Sequence, residues 1–222
     1  MTTLLVARHP ETTWNVEERY QGRLESPLSE RGRAQAALTA AHLAELGIAA
    51  IYASPLRRAL ELAVTVGATT GVPVRTDERL TEIAQTPWEG LTRTEIEQCF
   101  PELFRTWRER PDRVRFQYGE SVQDVMLRTS SMLRELYDRH DGDTVLLVTH
   151  SVAVQTIAAW SLNLELRYLH RVAASNASIT TFRGTTAPGY LVSLNVTEHL
   201  ADASVGASTI ESLSVVRKRK AS

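Results

Sequence analysis

Apolar residues along this chain follow two rhythms. Short unbroken runs, Leu4-Leu5-Val6-Ala7, "IAAIYA" from Ile48 and "VLLV" from Val145, are too brief for helices and predict strands buried on both faces. Between them the apolar positions recur at helical spacing. In "SERGRAQAALTAAHLAEL" the stripe Ala34, Leu38, Ala41 and Leu46 follows Ser29, a natural N-cap, and stops at Gly47. "PLRRALELAVTVGATTG" predicts a helix opened by Pro55 and closed by Gly71, followed by a short strand near Val72 to Arg75. An irregular stretch then leads into short helices between Thr92 and Arg108. "GESVQDVMLRTSSMLRELYDRH" predicts a long amphipathic helix, capped by Ser121 with Asp124 three residues on, in capping-box spacing. The strand "DTVLLVTH", a helix near Val152 to Ser161, and strands near Ser178 to Arg183 and Tyr190 to Val196 complete the order. Strands and helices alternate without an internal repeat, which predicts an α/β fold.

With 222 residues, 43% of them hydrophobic, the chain can bury a real core, and we expect one domain over 1–198 with a small helical cap inserted at about 78–119. The small and polar residues 199–222, ending in "VRKRKAS", are expected to form a loosely ordered tail. A single cysteine, Cys99, excludes an internal disulfide framework and a Cys-based zinc cluster. No run approaches a membrane span, and the N-terminus lacks a basic region followed by a long apolar one, so a cytoplasmic protein is expected, with no membrane partner. A net charge of −1 gives no general pull toward nucleic acid, and the terminal "RKRK" is too short to argue for it. A homodimer is left open. Lysine occurs only at 218 and 220, so 23 of the 25 basic residues are arginines, planar forks suited to carboxylate or phosphate.

The candidate chemistry sits at two strand ends. Arg8 and His9 follow the first apolar run and His150 follows "VLLVT", both at the carboxyl edge where α/β sheets build sites. A single histidine there is ordinarily structural; two at matching positions are a constellation. A neutral imidazole is a nitrogen nucleophile near neutral pH that takes a phosphoryl group without first losing a proton. Arginine forks, from Arg8 and from Arg58 beyond the second strand, suit the phosphoryl oxygens, and a carboxylic acid such as Glu82 suits the leaving oxygen. A metal site built on the same histidines and Glu82 is the rival reading. It lacks close ligand spacing, and the adjacent arginines would repel a cation.

These residues lie in six ordered motifs that resemble the histidine phosphatase superfamily. "ARHPETTWN" is similar to the family's Arg-His-Gly-Glu-Thr signature, "YQGRLESPLSERGRAQA" to its next block, and "ASPLRRALELA" to Ser-x-Leu-x-Arg-Ala, which selects Arg58 over Arg57. "LTEIAQTPWEG" resembles the block that carries the acid, "GESVQDVMLR" the start of the long helix, and "VTHS" the family's Ser-His-Gly. The resemblance implies a three-layer αβα fold of phosphoglycerate mutase type. It implies metal-independent hydrolysis of a small phosphomonoester through phosphohistidine, with no cofactor. His9 would be the nucleophile, Arg8, Asn15, Arg58 and a protonated His150 would hold the phosphoryl oxygens, and Glu82 would be the proton donor. Gln21 and Gly22 would line the substrate entrance. Pro10, Ser151, Thr86 and Pro87 depart from the pattern, and bear on specificity more than on the catalytic groups. A phosphoglycerate-type mutase and a catalytically silent binding protein are the alternatives. The short interval before "GES" and the absence of a mutase-like Tyr-Gly pair from "AQTPWEG" favour the phosphatase. The five arginines Arg105, Arg108, Arg110, Arg113 and Arg115 read first as a solvated surface with Glu109 and Asp112. A lid that meets the substrate, with Trp107, Phe116 or Tyr118, is the sharper reading.

Overall fold

A computed structural model of the chain describes residues 1–201. Its six strands are β1 (Thr2–Arg8), β2 (Ile48–Ala53), β3 (Val74–Thr76), β4 (Thr144–Thr149), β5 (Ile179–Gly184) and β6 (Tyr190–Val196), in sheet order β3-β2-β4-β1-β5-β6. β1, β2, β3 and β4 run parallel, and β5 pairs antiparallel to both β1 and β6. Side chains alternate across each strand, so the apolar runs feed two cores at once. Leu4, Val6, Val145 and Leu147 pack under helices α6 (Val122–Arg139) and α7 (Ser151–Ser161). Leu5, Ala7, Leu146 and Val148 pack under α2 (Glu30–Ala44) and α3 (Arg57–Thr70). Helices on both faces of a mainly parallel sheet make the three-layer αβα architecture.

Ser29 and Ser121 cap α2 and α6 as their spacing predicts, the latter in a full capping box with Asp124. Pro55 does not open α3. The helix starts at Arg57 with Leu56 at the cap, and the Glu25 carboxylate, from a distant loop, accepts the Arg57 N–H. β3 lies later than the expected Val72 to Arg75, because its pairing with Ile51, Tyr52 and Ala53 selects Val74–Thr76. A single helical turn, α1 (Thr13–Val16), follows the first strand and is held by a capping box between Thr12 and Asn15.

Residues 78–119 include α4 (Arg93–Cys99) and α5 (Pro101–Glu109), which close over Trp88. The Trp88 ring is fully buried against Tyr20, Phe104, Trp107 and Phe116. This third core extends to Val152 and Ala153 of α7 and so ties the segment to the sheet. His199, expected to begin a loose tail, instead sits in a short 3-10 turn, stacks on His42 and bonds Thr39. The remainder of the expected tail, 202–222, lies outside the described residues.

Candidate active site

The parallel register of β1 and β4 pairs Arg8 with Thr149, which sets His9 and His150 side by side one residue beyond. The His9 amide donates to the Thr149 carbonyl at 2.9 Å, and the two imidazoles lie 5.2 Å apart between centroids, tilted by 54°. His9 Nδ1 bonds the Pro10 carbonyl at 2.7 Å. A carbonyl only accepts, so Nδ1 carries the proton and Nε2 keeps its lone pair. Proline at position 10 removes an amide but leaves the carbonyl that orients the ring.

Arg8 and Arg58 converge on the same place. The Arg8 guanidinium donates to Ala174 O at 2.6 Å, and Arg58, only 1% exposed, donates to Leu24 O and Gly22 O at 2.9 and 2.7 Å. Arg57, by contrast, is exposed and paired with Glu61. Burial pushes the Arg8 guanidinium down to about 10, while the Glu82 charge opposes that shift. Asn15 accepts from Thr12 and Asn176 through Oδ1, which leaves its amide donors for the cavity. Asn176 also donates to the His9 carbonyl at 3.1 Å.

Glu82 is buried, and its carboxylate accepts from the amides of Ile83 and Val152. Burial raises its proton affinity above the ordinary 4.5 and outweighs those bonds and the charges of Arg58 and Arg8. His9 is driven well below 6.5, first by burial and then by the charges of Arg58 and Arg8. The two shifts run in opposite directions, toward the protonated carboxyl and the neutral imidazole, the division needed for an acid and a nucleophile in one cavity. His150 is driven well below 6.5 by burial and then by the charges of Arg58, His9 and Arg8, a direction opposite to the protonated His150 expected from the sequence.

A cavity of about 320 Å³ opens on this cluster, its floor formed by Arg8, His9, Asn15, Arg58 and Glu82. Gln21 and Gly22 line it, as do Ser151 and Trp14. His150 is wholly buried directly beside His9. Arg8 Nε, Arg58 Nε, His150 Nδ1 and Gln21 Oε1 are buried without a protein partner among the described residues. The two guanidinium Nε–H groups are donors, which suit an oxyanion.

The five arginines at 105–115 are not a lid over this cavity. None lines it; Arg105 pairs with Glu102, Arg110 with Asp112 at 2.7 Å and Arg115 with Asp124 at 2.7 Å. Trp107 does reach the cavity, whereas Phe116 is buried against Trp88 and Trp107 and Tyr118 is exposed. The mouth holds groups that sequence reasoning passed over: Glu18, Tyr20, Gln85, Arg93, Gln155 and His170. Ser54, which bonds His150, opens a motif used in the sequence only to choose Arg58. Asn176 had no signal beyond an asparagine ahead of a strand.

A family model described as histidine phosphatase superfamily (branch 1) matches residues 4–197. The chain is 35% identical over 202 residues to phosphoserine phosphatase 1 of Hydrogenobacter thermophilus, covering 91% of this chain and 96% of that one. It is 36% identical over 197 residues to glucosyl-3-phosphoglycerate phosphatase of Mycobacterium tuberculosis, covering 84% and 87%. Among solved structures, Bacillus stearothermophilus YhfR superposes with a TM-score of 0.85 at 37% identity, covering 90% of this chain and 100% of that one.

Proposed function

This chain belongs to the histidine phosphatase superfamily and is a phosphatase that works through phosphohistidine, and from that premise we propose that its substrate is the phosphomonoester of a small hydroxy or amino acid. In this reading His9 Nε2 attacks phosphorus and the bond to the ester oxygen breaks. Glu82 gives its proton to the departing alkoxide. The carboxylate so formed then takes a proton from water as the water oxygen attacks phosphohistidine, releasing inorganic phosphate and restoring both groups. Arg8, Arg58, Asn15 and His150 hold the equatorial oxygens as charge builds.

The observation that carries the substrate class is Arg93. It stands at the cavity mouth and has no carboxylate partner among the described residues, while nearby Arg19 is already bound to Glu17. The Arg93 guanidinium lies over the Phe104 ring, 5.9 Å from the centroid, and a guanidinium with no carboxylate of its own in the lining of a phosphate pocket suits a second acidic group on the substrate. The two relatives support this, since phosphoserine and a 3-phosphoglycerate derivative are both phosphate esters of three-carbon acids. The exposed free thiol of Cys99 fits a reducing compartment, and the cytoplasm is the location that goes with this reading. No described helix is long and apolar enough to cross a membrane.

The test is phosphate release by EDTA-treated protein from phosphoserine, 3-phosphoglycerate, sugar phosphates, nucleotides and p-nitrophenyl phosphate, with His9→Ala alongside. Turnover of the carboxylated esters is expected, falling by at least about 10³-fold in His9→Ala. Preference for sugar phosphates or nucleotides would overturn the substrate class, full activity in His9→Ala would overturn the mechanism, and dependence on a bisphosphate activator would point to a mutase.

A further inference from the structure

The two imidazoles at the strand ends are each held by one oxygen, and the two oxygens differ in kind. His9 Nδ1 faces a carbonyl, which only accepts, whereas His150 Nε2 lies 2.8 Å from Oγ of Ser54, a hydroxyl that accepts and donates. One of the two lone pairs of that hydroxyl is engaged by the Leu56 amide at 3.2 Å. Ser54 and His150 are both fully buried, and His150 Nε2 is the one acceptor within reach of the hydroxyl proton among the described residues. If Nε2 carried a hydrogen, the serine O–H would be buried with nowhere to go, a costly arrangement. The same contact therefore selects a neutral His150 with its hydrogen on Nδ1, the ring atom that has no protein partner among the described residues.

We propose that Ser54 is a positioning residue: its hydroxyl donates to His150 Nε2 and fixes the tautomer whose Nδ1–H donates to the phosphoryl group carried by His9. This inference rests on the phosphohistidine reading above. The sheet builds the contact, because β2 and β4 are parallel neighbours with Ala53 opposite Val148, and the Ser54 amide donates to Val148 O at 2.9 Å. The two histidines then have distinct duties set by their oxygen partners. The carbonyl beside His9 keeps Nε2 as a lone pair for attack, and the hydroxyl beside His150 keeps Nδ1 as a donor. His150 serves as a dipole that needs no proton from solvent, consistent with burial and with the neighbouring charges of Arg58 and Arg8, which oppose a cation there.

Two measurements test it. In the wild type labelled with ¹⁵N-histidine, the His150 ring signals, assigned by their loss in His150→Gln, should show Nδ1 protonated and Nε2 bare at neutral pH. A ring protonated at Nε2, alone or at both nitrogens, would overturn the proposal, and this readout is independent of turnover and so of the substrate class. In kinetics, Ser54→Ala should lower kcat by about 10–100-fold, the usual cost of losing a group that orients a histidine, with KM changed far less. Ser54→Thr, which keeps the hydroxyl, should recover part of that loss. Wild-type kcat in Ser54→Ala, or an Ala variant whose His150 spectrum is unaltered, would overturn the role of Ser54. If instead His9→Ala stays active while the wild-type tautomer is as described, it is the phosphohistidine reading that fails.

Discussion

At the scale of single residues, the site takes an imidazole and a carboxyl and drives their proton affinities in opposite directions. The imidazole of His9 falls well below 6.5 and the carboxyl of Glu82 rises above 4.5, both chiefly through burial. Catalysis needs His9 neutral, which fails as pH drops through its lowered pKa, and Glu82 protonated, which fails as pH rises through its raised one. A bell-shaped kcat/KM profile with its maximum on the acid side of neutrality is expected from initial rates between about pH 4 and 9. Glu82→Gln should lower kcat by about 10²–10⁴-fold for alkyl esters and less for p-nitrophenyl phosphate, whose leaving group needs little protonation. The same substitution has an opposite effect on folding. A carboxyl whose folded pKa is raised contributes stability below 4.5 and loses it as pH rises through the folded value. The glutamine side chain of that variant would accept the Ile83 and Val152 amides without a charge, so thermal unfolding at about pH 8 should show a higher Tm for Glu82→Gln than for the wild type. An unchanged or lower Tm would count against a strained, buried Glu82.

At the scale of elements, close backbone approaches hold the catalytic loops. A Cβ on Gly32, in the first turn of α2, would collide with the Glu11 carbonyl, in the loop that follows His9. Backbone cannot step aside as a side chain can, so Gly32→Ala should cost at least about 1–3 kcal/mol and displace that loop, read as a lowered Tm and a lowered kcat together. Gly22 is constrained differently, with φ +49 and a Cβ that would meet the Glu89 side chain. Its carbonyl holds Arg58, so its place in the site is through the backbone. The 78–119 segment depends on Trp88, and Trp88→Ala should cost about 3–5 kcal/mol in denaturant unfolding. Because Trp107 rests on that ring, KM should rise more than the rate of His9 phosphorylation falls.

At the scale of the whole molecule, the cavity joins the rigid edge of a sheet to a mouth assembled from α1, its following loop, α4, α5 and α7. The floor is built for any phosphoryl group, and selection falls to the mouth. Arg93→Ala should raise KM for phosphoserine or 3-phosphoglycerate by about tenfold, the worth of one charge-assisted contact, and leave p-nitrophenyl phosphate unaffected in steady-state assays. An equal effect on both substrates would remove Arg93 from recognition of the acid. The C-terminal turn belongs to this scale as well. His199, stacked on His42, takes no part in the cavity, yet its ring bonds the Ala177 carbonyl, beside the Asn176 that supports His9 and Asn15.

By itself the sequence determined the strands, the long capped helices and the residues at the strand ends, because apolar runs, capping residues and turn residues act over a few positions. Arg8, His9, Arg58, Glu82 and His150 were legible for the same reason, each being carried by a local motif. Tertiary structure decided everything that depended on distance. The start of α3 waited on a Glu25 carboxylate from elsewhere, and the bounds of β3 on the neighbour it pairs with. The arginines at 105–115 read first as a solvated surface and second as a lid; Arg105, Arg110 and Arg115 found nearby carboxylates and none of the five lines the cavity, while Arg93, which no motif singled out, does. The tautomer proposed for His150 has no local signal in the chain. It is argued from a serine hydroxyl 96 residues away and from burial among cations, and such long-range contacts and fields exist only once the chain has folded.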